Sequence, residues 1–382
     1  MAAMAQTFDI CIRGAGVVGR ALALLLARDR LRVALVAPAM HDPATPDVRA
    51  YALNAASRAL LQSVRGWPDE EHATPVQHME VMADQGGSVR FDARPQGGAH
   101  EALAWIVDVP ALQARLHDAV RFQPLVEVVQ QPVAAPLTVV CEGRASRTRA
   151  QFGAEFEVTP YGQTAVATRL ACERPHGQVA RQWFAADGSI LAFLPLGGPE
   201  GNSVAVVWSV SHDQARHWLE ADEQAFTAAL EEASGGALGA LHMSAPCASW
   251  PLQQARARRW CGRMPGGAGS WMLAGDAAHN VHPLAGQGLN LGLADVQTLA
   301  RVLHGRESWR PLSDLRLLRR YERQAKSALL PAAVVMDGLQ QLFARREAPL
   351  QTLRNWGMSG FDRTGLLKGW VARQAMGSGA LP

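Results

Sequence analysis

The sequence predicts an α/β fold with two lobes, and three observations carry that expectation. Near the N-terminus, Gly14-Ala15-Gly16-Val17-Val18-Gly19 stands between an apolar run at 8–12 and a helical pattern at 17–28. Stretches at 158–170, 189–196 and 203–210 alternate or run apolar, as strands of an antiparallel sheet do. From Asp314 onward the chain reads as helix, with Arg316, Arg319, Arg320, Arg323 and Lys326 on polar faces. A chain of 382 residues exceeds what one hydrophobic core usually supports, so the two lobes share it.

Each element has a local reason. Residues 8–12 read as a strand, 14–19 as a turn, 17–28 as a helix and 31–36 as a second, buried strand. In that setting Gly14 permits the tight turn, Gly16 lets backbone approach a pyrophosphate, and Gly19 lets helix and strand pack closely. Strand, glycine turn and helix in this order form the dinucleotide-binding arrangement of a Rossmann-like domain. The acid expected at the end of the second strand, to hold ribose hydroxyls, is replaced by Ala37; Asp42 and Asp47 follow in a proline-rich loop. Arg49 then precedes a helix at 55–61, where a guanidinium can reach phosphate or a flavin edge. A strand at 103–109 leads to Pro110, well placed as the first residue of a helix reaching Val120. Val139 to Arg149 reads as strand, turn and a short basic segment.

The most specific signal is His282-Pro283-Leu284-Ala285-Gly286-Gln287-Gly288-Leu289-Asn290-Leu291-Gly292-Leu293-Ala294-Asp295. Leu289, Leu293, Val296, Ala300 and Leu303 share one helix face, and Gly305 stands where a glycine cap ends such a helix. A glycine-rich helix start offers free N–H groups and the positive end of the dipole to an anion or an electron-rich ring. Just upstream, Gly275-Asp276-Ala277-Ala278-His279 follows the apolar run 271–274. Asp276 reads either as a helix cap or as an acceptor for a polyol such as a ribityl chain. Strand, Gly-Asp turn, loop and glycine-opened helix form the order a flavin site needs.

Composition removes other classes. A formal charge of +3 is too small to argue for nucleic acid, and a hydrophobic fraction of 48% supports a well-buried globular protein. Cys11, Cys141, Cys172, Cys247 and Cys261 are odd in number and lack Cys-x-x-Cys spacing, so reduced thiols fit better than disulfides or zinc. His279 and His282 lie three apart, but no third ligand stands near them, so no metal is expected. The 11 tryptophans contain no Trp-x-Trp pair, which points to core or interface filling rather than a cofactor box. No signal peptide or membrane span is expected, which places the chain in the cytoplasm.

Taken together, these segments resemble the FAD-dependent aromatic hydroxylases of the para-hydroxybenzoate hydroxylase type, and more narrowly the ubiquinone-biosynthesis hydroxylase family. The 282–295 segment matches the narrower family without a gap, as do Tyr161-Gly162-Gln163-Thr164-Ala165, Pro175-His176, Phe193-Leu194-Pro195-Leu196, Val207-Trp208-Ser209 and Arg320-Tyr321-Glu322. Leu342-Phe343, Arg354-Asn355 and Ala375-Met376-Gly377 extend the similarity through the tail. Two departures fall in the cofactor lobe: Cys141-Glu142-Gly143 replaces Ala-Asp-Gly, and the segment between His117 and Thr138 is shorter than the family pattern.

The resemblance implies that Gly14, Ala15, Gly16, Val17, Val18 and Gly19 hold the FAD pyrophosphate, with Arg49 and Gln113 facing the cofactor. It places Asp276 on the ribityl chain and Pro283 beside the isoalloxazine, with Gly286, Gln287, Gly288, Leu289 and Asn290 at its pyrimidine end. The implied division is an FAD-binding domain from 1–76, 100–150 and 262–340, a substrate domain from 77–99 and 151–261, and C-terminal helices at 341–382. The implied activity is hydroxylation of a phenolic ring through a flavin C4a-hydroperoxide, with O2 as co-substrate and NAD(P)H or another donor as reductant. The implied substrate is a polyprenylphenol on the way to ubiquinone, whose greasy tail favours docking at the inner-membrane surface or in a biosynthetic complex. Two alternatives stay open: a soluble hydroxylase of a small aromatic acid, marked by a carboxylate-binding pocket arginine, and an accessory subunit that binds flavin weakly.

Overall fold

The computed structural model describes residues 7–37, 47–83, 87–93, 95–96, 99–100, 102–199, 201–280 and 287–344. For 95–96, 99–100, 287 and 330–344 the description is of backbone only. The predicted α/β class is what forms. A mostly parallel six-stranded sheet has the order 126–129, 33–36, 10–13, 137–140, 270–273 and 261–263, the last strand antiparallel. Three of its inner strands, Val33–Val36, Leu137–Val140 and Ser270–Leu273, are buried at every residue and apolar except for Thr138 and Ser270, as strands covered on both faces are.

Eight helices are described: α1 (Val17–Arg28), α2 (Ala55–Ser63), α3 (Val109–Arg121), α4 (Arg147–Gln151), α5 (His212–Glu220), α6 (Glu223–Ala233), α7 (Gln287–His304) and α8 (Leu315–Ala344). Helix α1 covers the expected 17–28. Its Val17, Ala21, Leu22, Leu24 and Leu26 are buried in the main core, which also takes in Leu293, Val296, Leu299 and Leu303 of α7. Asp108 caps α3 by accepting from the Ala111 N–H at 3.1 Å, which makes Pro110 its second residue, a place that needs no N–H. Gly305 ends α7 as predicted, donating its N–H to the Arg301 carbonyl at 3.0 Å. Helix α8 runs unbroken past position 340, and the rest of the expected C-terminal helices lies outside the described residues.

The shortened region has a plain geometry. The strand Val126–Val129 occupies one edge of the sheet, and only residues 130–136 carry the chain across two strands to Leu137–Val140. The two strands are parallel, so the crossing covers about 14 Å sideways and about 10 Å back along the strands, which seven residues reaching roughly 25 Å can span without strands or helix of their own.

The second lobe is a nine-stranded sheet in which Phe156–Cys172 pairs with Ser203–Ser211 on one side and Ala248–Ala257 on the other. Ile190–Leu196, Val179–Phe184, His78–Ala83 and Ser88–Asp92 extend it. A three-stranded sheet, Ala50–Leu53, Ala104–Asp108 and Ala73–Val76, lies between the two lobes. Val76 and Ile106 from it pack with Ala180, Leu196 and Ala205 of the nine-stranded sheet. This contact places the start of α7 opposite the second lobe. The short strand His279–Asn280 also pairs with the nine-stranded sheet, directly after the Gly-Asp turn.

Candidate functional site

The glycine turn is built by close approach at two positions and by open space at the third. Gly14 has φ +110°, and a Cβ there would stand 2.5 Å from the Cys141 carbonyl oxygen. A Cβ on Gly19 would stand 1.9 Å from the Gly14 carbonyl oxygen. At Gly16 a Cβ would meet nothing within 4 Å. Gly16 is also the N-cap of α1, which has no side-chain cap and no acidic residue in its first turn. The first N–H groups of α1 thus face outward at the one glycine where space is free, an arrangement that suits a pyrophosphate. Val17 is buried in the core, while Ala15 and Val18 are half-buried.

Helix α7 crosses the start of α1 through small residues. A Cβ on Gly292 would stand 2.9 Å from a Val18 methyl, and one on Gly275 (φ +61°) would stand 3.3 Å from the same side chain. A Cβ on Gly288 would stand 3.9 Å from Asp276 Oδ1, so the first turn of α7 lies beside that carboxylate. Burial pushes the Asp276 carboxyl above its ordinary pKa, against the pull of His279, Arg144 and Arg49. Such a carboxylate gains from hydroxyl donors, which fits the polyol role.

A buried network holds this turn. The Asp295 carboxylate accepts from the Gly275 N–H at 2.9 Å and pairs with His279 Nε2 at 2.7 Å. Both side chains are about 4% exposed. Burial alone lowers the His279 pKa, but the Asp295 charge and hydrogen bond outweigh it and raise it. Trp260 stacks on the His279 ring at 5.0 Å, and the Tyr321 hydroxyl donates to the Leu273 carbonyl at 3.1 Å. His279 is therefore a structural partner of Asp295.

Asn290 closes the other side. Its Oδ1 accepts from the Asn54 N–H (3.0 Å) and the Ser57 hydroxyl (2.7 Å), and its Nδ2 donates to the Ala52 carbonyl (2.8 Å). This latch ties the first turn of α7 to the start of α2. Arg49 makes a two-point ion pair with Asp47, Nε–Oδ1 2.7 Å and Nη2–Oδ2 2.6 Å. Tyr51, half-buried beside them, feels the charges of both Arg49 and Asp276. The stretches near 14, 49, 276 and 288 thus converge. Gln113 stays on α3, half-buried, with its carbonyl accepting from Arg20 Nη1 at 3.4 Å. Leu289 packs on the main core. His282, Pro283 and Gly286 lie outside the described residues, and of Gln287 only the backbone is described.

An apolar cavity of about 170 Å³ opens between this cluster and the nine-stranded sheet. Its walls include Met79, Ile106, Ala192 and Leu194, while Asn54 and Asn290 line it too. Two arginines reach it, and each carries a carboxylate partner: Arg49 with Asp47, and Arg181 with Glu80 at 3.1 Å. Among the described residues the cavity therefore presents no uncompensated cation.

Sequence reasoning missed the Asn54–Asn290 latch, the His279–Asp295 pair and Arg169. Arg169 pairs with Asp108 and reaches the carbonyls of Val48 and Asp47, fixing the loop that carries Arg49. A signal existed for two of them: Asn54 stands directly before a helix, and Asp295 falls within the apolar stripe of α7. Glu142, in place of the usual aspartate, is taken up locally. It accepts from Ser146, from the Thr148 hydroxyl and N–H, and pairs with Arg13.

Comparison with known proteins gives one consistent result. The FAD binding domain family matches residues 110–330. The 3-demethoxyubiquinol 3-hydroxylase of Escherichia coli (strain K12) is 29% identical over 97% of this chain and 99% of its own length. The ubiquinone hydroxylase UbiL of Rhodospirillum rubrum is also 29% identical, over 97% of this chain and 90% of its own. Among solved structures, PqsL of P. aeruginosa superposes with TM-score 0.74 at 19% identity, covering 93% of this chain and all of that one, a likeness of fold.

Proposed function

Because the chain belongs to the FAD binding domain family, we propose that it is an FAD-dependent monooxygenase that hydroxylates the phenolic ring of a ubiquinone precursor. The observation that carries the choice of substrate is the apolar cavity whose two arginines are already matched by Asp47 and Glu80. A small aromatic acid needs a free cation for its carboxylate; a neutral prenylated phenol needs apolar walls.

Bound FAD supplies the oxygen activation, and the chain supplies binding, orientation and a dry pocket. Gly16 and the open first turn of α1 take the pyrophosphate, and Asp276 accepts from the ribityl hydroxyls. The start of α7, beside Asp276, offers its positive end to charge that gathers on the ring, worth about 0.3–2 kcal/mol. Met79, Ile106 and Leu194 exclude water from the face where the phenol sits. No helix among the described residues is long and apolar enough to cross a membrane, so a prenylated substrate is met at a surface or handed over by a partner.

Loss of the chain from its cell is expected to leave a quinone precursor lacking one ring hydroxyl, read by mass spectrometry. An unchanged quinone pool, with the purified protein hydroxylating a small aromatic acid instead, overturns the proposal. Stoichiometric FAD in the purified chain separates it from an accessory subunit.

Adenosine binding is the weak point. Ala37 offers no carboxylate, and Asp47 is engaged by Arg49; Asp42 lies outside the described residues. Ala37→Glu is expected to tighten FAD about tenfold or more, the equivalent of one charge-assisted hydrogen bond. Fluorescence titration of the apoprotein checks this, and an unchanged Kd means another group already holds the ribose.

A further inference from the structure

We propose a second binding site, for a phosphate-bearing anion, at the sheet edge Cys261–Arg263 where it meets α8. A concavity of about 430 Å³ is lined there by Arg259, Arg263, Arg319 and Arg323, with Cys261 and Glu322 among them. None of these residues lines the apolar cavity. Arg319 and Arg323 are four apart on α8 and so share one face.

The charges in the concavity are unbalanced. Glu322, its only acid, is already occupied: it accepts from the Trp260 N–H at 3.2 Å, from Cys261 Sγ at 3.3 Å and from Lys326 Nζ at 2.6 Å. None of the four arginines has an ion-pair partner among the described residues. Their neighbours do: Arg258 pairs with Glu155 and Glu157, and Arg310 with Glu307 and Asp314. With Lys326 included, five cations stand against one carboxylate, a net +4 beside a formal charge of +3 for the whole chain, so the rest of the molecule is close to neutral. Like charges held around one hollow repel unless an anion joins them, and the forked guanidinium geometry matches phosphate oxygens. The ligand class is accordingly a phosphate group carrying two or more charges, free in solution or on a lipid headgroup.

The test uses the full-length, FAD-loaded chain and two probes, inorganic pyrophosphate by calorimetry and vesicles with or without phosphatidylglycerol by flotation. Sodium chloride at matched ionic strength is the control. Pyrophosphate binding that weakens about tenfold or more in the Arg319→Gln/Arg323→Gln double variant supports the site with a free ligand as its source. Flotation only with anionic vesicles, lost in that variant and competed by pyrophosphate, supports it with a headgroup as the source. The Arg259→Gln/Arg263→Gln pair must behave alike, with FAD content unchanged in both, which guards against a folding defect in either. Binding of neither probe, or binding equal in wild type and both double variants, overturns the proposal.

Discussion

Gly19→Ala is expected to unfold or nearly unfold the cofactor lobe, whereas Gly16→Ala leaves its stability intact and removes the cofactor. The added methyl at 19 would stand 1.9 Å from the Gly14 backbone oxygen, which no side-chain rotation relieves. Forcing α1 off the first strand costs about 3 kcal/mol or more, at or above the upper end of overpacking effects. At Gly16 the same methyl meets nothing within 4 Å, so it costs nothing until a pyrophosphate arrives. Denaturant unfolding of the apoproteins, set beside FAD titration, separates the two. Equal destabilisation by both variants would mean that the space at Gly16 is not a ligand's.

Asp295→Ala is expected to cost about 3–5 kcal/mol, because it strands a buried imidazole and a buried N–H together. The cost should depend on pH in a known direction. His279 has a raised pKa in the fold, so its protonated form contributes fully below its unfolded value of about 6.5. That contribution is lost as pH rises through the folded pKa. The stability gap between wild type and Asp295→Ala should therefore be widest near pH 6 and narrow on the alkaline side. Chemical denaturation across that range measures it; a gap that widens with pH contradicts the pairing. FAD affinity should fall in parallel, since the Gly275–Asp276 turn loses its anchor.

The elements that sequence reasoning located are those whose signals are local. Glycines and helical spacing defined α1, and glycine opening with a terminal Gly305 defined α7. The second strand begins two residues late, at Val33, because Arg30 adopts φ +61° and Leu31 donates back to the Leu26 carbonyl. These residues finish the helix cap rather than start the strand. The strand Ala248–Ala257 went unseen because Pro251, Gln253 and Gln254 interrupt its apolar pattern, which its pairing with Phe156–Cys172 overrides. Of the candidate site, the glycine turn and the Gly275-Asp276 turn were legible as local motifs. Its latches were not, since Asn54 meets Asn290 across 236 positions and Arg169 meets Asp108 across 61. Periodicity carries no information about such partners.

The order of strands in the six-stranded sheet has a consequence for synthesis. Leu137–Val140 pairs on one side with Ile10–Arg13 and on the other with Ser270–Leu273, so its second neighbour is made about 130 residues later. At ribosomal speeds of about 5–20 residues per second, the nascent chain carries that greasy edge bare for roughly 7–26 s. Over that interval a chaperone, or a neighbouring nascent chain, competes with the native strand for the same backbone groups.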